Sequence, residues 1–141
     1  MRILAVDPGD RHLGIALSDP TGTIANPLTV IMHVARRLDA ALIAELAQRN
    51  EAVLIVVGQA LDEDGNPSYQ ARKAFRLAEA IREQSSIPVE LWDESESTRE
   101  ARMARIAMGS SRRARKGHLD ELAATVILQS YIEAHRTTDQ V

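Results

Sequence analysis

Short apolar segments separated by turn residues dominate the first third of the chain. Arg2 to Val6 and Leu13 to Ser18 are rich in apolar and β-branched side chains, with the turn residues Asp7-Pro8-Gly9 after the first of them. A third such segment, Pro27 to Met32, follows a turn at residues 19–22. These patterns predict three strands. The connections are shorter than the roughly dozen residues of a parallel crossover, so neighbouring strands are predicted to be antiparallel.

From residue 35 onward the pattern alternates between helical spacing and buried strands. A first helix is predicted from apolar residues at helical spacing, and its expected buried side is Leu38, Ala41, Leu42, Leu46 and Ala47. The continuous apolar run Ala52 to Val57 is typical of a strand buried on both faces. A second helix over residues 68–84 and a strand over Ile87 to Trp92 complete a right-handed βαβ unit. The expected buried side of that helix is Ala71, Phe75, Leu77, Ala78 and Ile81.

The last third predicts two further helices joined by a basic loop. The first runs from about Thr98 to Met108 and the second from about Leu119 to Ala134. The predicted fold class is therefore α/β, a mixed five-stranded sheet with helices packed on it. At 141 residues the chain suits a single core. We expect one domain over residues 1–136 and a frayed polar tail over 137–141.

Composition limits the class of protein. With 45% hydrophobic and 26% charged residues the chain is typical of soluble globular proteins. It has no cysteine, which excludes disulfides and thiolate metal ligands. No apolar run approaches the roughly 18 residues of a membrane span, and the N-terminus lacks the apolar stretch of a signal peptide. The sequence predicts a soluble, unexported, cytoplasmic protein with no membrane partner.

The distribution of charge is more informative than its sum. A net charge of −3 argues against a uniformly basic nucleic-acid binder. Between residues 99 and 117, however, there are seven cations and one acid, Glu100. The cations are Arg99, Arg102, Arg105, Arg112, Arg113, Arg115 and Lys116. Such a run is often a solvated helix face, but its continuation through residues 112–116 favours contact with a phosphate backbone.

Three acidic residues follow or begin predicted elements. Asp7 ends the first strand, Glu94 follows the fifth, and Asp120 lies in the first turn of the last helix. Each alone has a structural explanation, in a turn, a solvated strand end or a helix N-terminus. Together at one end of an α/β sheet they would repel one another unless cations bound them. Oxygen ligands suit one or two Mg²⁺ or Mn²⁺ ions, which can activate water for phosphodiester cleavage.

Four segments of the chain carry a recognisable pattern. They are residues 1–18 (MRILAVDPGDRHLGIALS), 91–95 (LWDES), 110–124 (SSRRARKGHLDELAA) and 126–131 (VILQSY). Together these segments resemble the YqgF family, also called RuvX-like. The resemblance implies an RNase H-like fold and a metal-dependent nuclease that acts in maturation of the 16S rRNA precursor. Activity on branched DNA is implied mainly by analogy of fold.

The resemblance also implies roles for individual residues. The acidic site residues of the family correspond to Asp7, Glu94 and Asp120, which would be both catalytic and metal-binding. Arg11 matches the basic residue of the glycine loop, and Thr98 matches a hydroxyl residue beyond the Trp-Asp-Glu segment. Nucleic-acid contacts are expected from Arg11 together with Arg112, Arg113, Arg115 and Lys116 of the basic loop.

Several positions depart from the family pattern. Gln59-Ala60 replaces Leu-Pro after the buried strand, and Ser95-Glu96 replaces an arginine followed by an apolar residue. Asp10 replaces a small hydroxyl residue and places another carboxylate near Asp7 in the sequence. These changes support an alternative, a nucleic-acid-binding factor in ribosome maturation or transcription that has the same fold but cleaves little. An ATPase or sugar kinase of the related actin-like fold would need two such domains, which 141 residues cannot supply.

Overall fold

The computed structural model describes residues 1–59, 66, 68–93 and 119–139, although not the side chains of residues 119–121 and 137–139. Its strands are β1 (Arg2–Pro8), β2 (His12–Ser18), β3 (Ala25–Met32), β4 (Ala52–Gln59) and β5 (Val89–Asp93). Its helices are α1 (Arg36–Arg49), α2 (Tyr69–Gln84) and α3 (Leu119–Asp139). None of these helices is long and apolar enough to cross a membrane.

The described strands form one mixed sheet with β1 at its centre. The strand order is β3-β2-β1-β4-β5. Strands β1, β2 and β3 pair antiparallel, whereas β4 pairs parallel with both β1 and β5. This arrangement confirms the predicted antiparallel start and the βαβ unit. It also brings the carboxyl ends of β1, β4 and β5 to one edge of the sheet.

Alternate residues of β1 face two different cores, because side chains along a strand point to opposite faces. Leu4 and Val6 pack with buried residues of α1 and α2. Ala5 belongs to a second cluster built with residues of α3, and Ile3 packs against that cluster. Helices α1 and α2 thus cover one face of the sheet, and α3 covers the other.

Helix α3 is held to the sheet at several points along its length. A Cβ on Gly58 of β4 would lie 2.4 Å from the Cδ1 atom of Ile127, so a glycine there permits the close approach of α3. Near the opposite edge of the sheet, the Gln129 side chain accepts a hydrogen bond of 3.0 Å from the Ala25 backbone N–H. Seven residues after Gln129, the Arg136 guanidinium donates a hydrogen bond of 2.9 Å to the Thr23 carbonyl oxygen, just before β3 begins. Helix α3 therefore runs from the edge where β1 and β4 end toward the edge where β3 begins.

Trp92 of β5 packs between β5 and α3. Its indole N–H donates to the Ser130 hydroxyl at 3.1 Å. Its ring makes an edge-to-face contact with Tyr131, with centroids 5.3 Å apart. The Tyr131 hydroxyl in turn donates to Glu90 at 2.7 Å, so β5 and α3 are joined by one polar and aromatic network.

The predicted buried side of α1 is partly wrong. The helix buries Asp39, Ala40, Ile43 and Ala47, while Ala41 is exposed, Leu38 is 58% exposed and Leu42 is 40% exposed. The rotation of the helix is set at its first turn, where the buried Asp39 carboxylate accepts hydrogen bonds from the Val34 backbone and from the His33 ring. Apolar spacing alone does not reveal that anchor.

The predicted buried side of α2 needs one correction. Ala71, Leu77, Ala78 and Ile81 are buried as expected, but Phe75 is 52% exposed and Ala74 is buried in its place. One residue is a rotation of about 100° around a helix, so Ala74 and Phe75 point in different directions. The alanines on this side allow α2 to pack closely, which leaves the bulky ring outside.

The other predicted elements agree with the structure except at their ends. Strands β1 and β4 each continue two residues beyond the predicted end, to Pro8 and Gln59. Helix α3 continues to Asp139 and so includes residues 137–139, which the sequence assigned to a polar tail. The helix predicted over residues 98–108 and the basic loop after it lie outside the described residues.

Candidate active site

Asp7 lies near the end of the central strand. It pairs with Gly14 of β2, and the preceding Val6 pairs with Val57 of β4. Ile3 and Ala5 precede it on the face covered by α3, so the alternation of the strand puts Asp7 on that face. Its side chain is partly buried. Pairing on both sides of β1 fixes this carboxylate where several strands end.

The loop after Asp7 requires glycine at position 9. A Cβ built on Gly9 would lie 2.2 Å from the carbonyl oxygen of His12, a backbone atom that cannot rotate away. The loop is also tied to the start of α1, because the carbonyl of Arg11 accepts a hydrogen bond of 2.8 Å from the His33 backbone N–H. Arg11 itself is exposed on this loop.

Asp10 is held toward α2. The ammonium group of Lys73 donates to the Asp10 carboxylate at 2.7 Å and to the Gly9 carbonyl at 2.8 Å. The hydrogen bond and charge of Lys73 lower the pKa of Asp10, so this carboxylate stays ionised at neutral pH. Since α2 and α3 cover opposite faces of the sheet, the charge of Asp10 is balanced by Lys73 on the face opposite Asp7.

The first turn of α3 extends toward the same edge of the sheet as Asp7. Ile127 packs on Gly58, which directly follows Val57, the residue of β4 that pairs with Val6. Asp120 precedes Ile127 by two helical turns. Two turns correspond to about 10 Å along a helix axis. The backbone of Asp120 therefore lies beyond the ends of β1 and β4. Its side chain lies outside the described part of the structure.

The remaining predicted site residues are not described. Glu94 directly follows Asp93, the last residue of β5, and β5 ends at the same edge as β1. Glu94, Thr98, Arg112, Arg113, Arg115 and Lys116 all lie outside the described residues. The structure thus brings Asp7, the end of β5 and the start of α3 to one edge of the sheet.

Metal binding at this edge agrees with the chemistry of Asp7. A carboxylate at the partly exposed end of a strand is an oxygen donor of the kind that Mg²⁺ and Mn²⁺ prefer. Among the side chains that the structure describes, no three His, Asp or Glu residues form a metal-binding group. Glu94 and Asp120 are not among those side chains, so a site shared by the three acids stays a prediction.

Sequence analysis missed a second group of polar residues beside the Gly9 loop. A groove of about 440 Å³ is lined by Arg36 of α1, by Arg72, Lys73 and Arg76 of α2, and by residues of the loop. The signal was present in the sequence, since residues 72, 73 and 76 recur on one side of a helix. The denser run of cations between residues 99 and 117 is the stronger charge signal in the sequence.

The strand order and the placement of Asp7 define an RNase H-like fold of the RuvC type. RuvC of Thermus thermophilus bound to a Holliday junction matches with a TM-score of 0.58 and 16% identity, covering 96% of each chain. The Holliday junction resolvase of fowlpox virus matches with a TM-score of 0.59 and 15% identity, covering 95% of this chain and 99% of the viral one. At sequence identities this low, the structural similarity establishes the fold alone.

The chain belongs to the RuvX family, whose description is Holliday junction resolvase and whose match spans residues 1–134. This confirms the resemblance seen in the sequence. A relative from Syntrophus aciditrophicus is 39% identical over 134 residues, which is 95% of this chain and 89% of the relative. One from Thermoanaerobacter pseudethanolicus is 38% identical over 137 residues, 96% of this chain and 99% of the relative. Both relatives are named "Putative pre-16S rRNA nuclease".

Proposed function

We propose that this protein is a divalent-metal-dependent nuclease that hydrolyses phosphodiester bonds of the 16S rRNA precursor in the cytoplasm. The observation that carries the proposal is the position of Asp7, fixed on the α3 face at the end of the central strand, where α3 also begins. The names of the relatives support RNA as the substrate. Branched DNA, the substrate of the RuvC structure, is the second candidate.

Asp7, Glu94 and Asp120 would hold one or two Mg²⁺ or Mn²⁺ ions. When bound, such ions lower the pKa of water and neutralise charge that develops on the phosphate. The chain itself would fix the position of the carboxylates, through the pairing of β1 with β2 and β4 and through the tight Gly9 turn. Because these supports are backbone interactions, they are formed before a substrate arrives.

Thermal unfolding with added metal tests the ligand role of Asp7. We expect Mn²⁺ or Mg²⁺ to raise the melting temperature, because an ion that binds only the folded state stabilises it by about 2.7 kcal/mol at a hundred times its Kd. The Asp7→Asn variant should lose most of this rise. Glu83→Gln neutralises an exposed carboxylate of α2 on the other face and should keep the rise in full. An equal rise in Asp7→Asn would rule out a site built on Asp7.

The basic loop is the proposed grip on the substrate backbone. We expect replacement of Arg112, Arg113, Arg115 and Lys116 by Gln to weaken RNA binding and to flatten its salt dependence. Each lost phosphate contact removes about 0.7 from the slope of log affinity against log salt for a single strand. Sequence preference should barely change, since phosphate contacts carry no base information.

Fluorescence anisotropy across a salt series measures both effects. A control variant replaces two cations outside the loop, the exposed Arg37 and Arg49 of α1. It lowers the net charge of the protein without changing the loop. If the loop variant keeps the affinity and slope of the unaltered chain, the substrate backbone lies on another surface.

A further inference from the structure

A basic groove lies on the opposite side of the Gly9 loop from the face that carries Asp7. Its volume is about 440 Å³, and Pro8, Gly9 and Asp10 form the wall nearest the proposed active site. Helices α1 and α2 form the other walls, both with their N-terminal turns. The groove therefore begins within three residues of Asp7, although it opens on the face of the sheet covered by α1 and α2.

The side chains from α2 form a regular stripe along the groove. Tyr69, Arg72, Lys73 and Arg76 line it and are spaced three, four and seven residues after the first of them. This is the spacing of one helix face, and its three cations lie within about 6 Å along the helix axis, from Arg72 to Arg76. The first turn of α2 carries no acid to offset these charges. Tyr69 is 64% exposed at the head of the stripe, where its ring is available for stacking.

The positive charge of the groove is not cancelled by its acids. Arg36 adds a fourth cation, against the two carboxylates Asp10 and Asp39. Asp39 is 4% exposed and is bound by the His33 ring and the Val34 backbone, and Asp10 is bound by Lys73. Within the described part of the chain, Arg36 and Arg76 form no ion pair. Two arginines thus present their donors to whatever occupies the groove.

We propose that this groove binds phosphates of the nucleic-acid strand that is cut at Asp7, at a point where that strand has crossed the Gly9 loop. The inference rests on the proposed nuclease function. Arginine suits this ligand because its planar fork of N–H donors matches the oxygens of a phosphate. The groove gives the substrate a second point of attachment, and it favours a strand long enough to span the loop.

The test compares RNAs of two lengths in the Asp7→Asn background, so that cleavage does not consume the probe. Single strands of about 30 and about 6 nucleotides represent substrates that do and do not extend past one binding site. We expect the added pair Arg36→Gln and Arg76→Gln to raise the Kd of the long RNA at least ~10-fold and to lower its salt slope by about 1.4, for two lost phosphate contacts. The Kd of the short RNA should rise by a smaller factor than that of the long RNA, because a short strand bound at Asp7 places fewer phosphates in the groove.

Two controls separate this result from general effects. Replacement of Arg37 and Arg49 by Gln removes the same charge from exposed positions of α1 that do not line the groove, and it should leave both RNAs unaffected. The melting temperature of the Arg36 and Arg76 variant should match that of its parent, since both side chains are exposed. Inorganic phosphate, titrated by calorimetry, shows whether the groove takes a free ion.

Unchanged affinity and slope for the long RNA would overturn the proposal. The proposal would also be overturned if the groove bound inorganic phosphate while the affinity for the long RNA did not depend on either arginine. That result would indicate a site for a small phosphate compound. If the proposed nuclease function is wrong, the result is different, because the unaltered chain then cleaves neither RNA nor branched DNA. The length-dependent binding can persist in that case, because the binding measurement does not depend on cleavage.

Discussion

We expect the Asp7→Asn variant to cleave structured RNA at least ~100-fold more slowly than the unaltered chain in Mg²⁺ or Mn²⁺, while its RNA affinity stays within a few-fold. If Asp7 holds the proposed metal, loss of this ligand would weaken water activation and charge neutralisation, which matter in the transition state far more than in the bound substrate. Asn preserves the volume of Asp, and the pairing of β1 with β2 and β4 holds the backbone in place. The fold should therefore persist.

Single-turnover cleavage of a labelled RNA and anisotropy on the same RNA measure the two quantities separately. Glu83→Gln is the control, since it removes one exposed carboxylate from α2 on the face opposite Asp7. The proposed nuclease function would be contradicted if the unaltered chain showed no metal-dependent cleavage of RNA or branched DNA and its cleavage rate equalled that of Asp7→Asn. The result would instead support the nucleic-acid-binding factor suggested by Gln59, Ser95 and Glu96.

The Gly9→Ala variant should lose activity on a similar scale by a different route. The added Cβ would lie 2.2 Å from the His12 carbonyl oxygen, so the loop must move. Crowding of this kind costs about 1–3 kcal/mol of stability. A displacement of about 1 Å at a reacting centre can reduce a rate about 100-fold. Because Asp7 is two residues from Gly9, we expect both the melting temperature and the cleavage rate to fall.

Gly22→Ala distinguishes loss of site geometry from loss of stability. Gly22 has a φ of +71°, and a Cβ there would lie 2.9 Å from the Met1 carbonyl oxygen. The variant should therefore be destabilised as well. Its position at the edge of the sheet opposite Asp7 predicts an unaltered cleavage rate below the melting transition. If both variants lose activity in proportion to their melting temperatures, Gly9 has only a structural role.

Arrangements set by local pattern could be read from the sequence. The antiparallel start of the sheet follows from connections too short for a crossover, and the βαβ unit follows from the spacing between β4 and β5. Asp7 stands out in the sequence because it directly follows an apolar strand and precedes Pro-Gly. The three-acid site and the basic loop stay predictions, since Glu94, the Asp120 side chain and residues 112–116 lie outside the described part of the structure.

Arrangements set by contacts between distant residues required the tertiary structure. The spacing of apolar residues fits two orientations of a helix that differ by the rotation of one residue. What each helix packs against therefore decides that Asp39 and Ala74 are buried and that Leu38 and Phe75 are exposed.

The sequence by itself determined the order of the strands along the chain, their antiparallel start and the acid at the end of the first strand, because strand alternation and turn chemistry act over a few residues. Only the tertiary structure decided that Lys73 binds Asp10 across 63 residues of chain, and that Arg36 and Arg76 from two helices share one groove. Charges so far apart in sequence meet only once the sheet and its helices have packed.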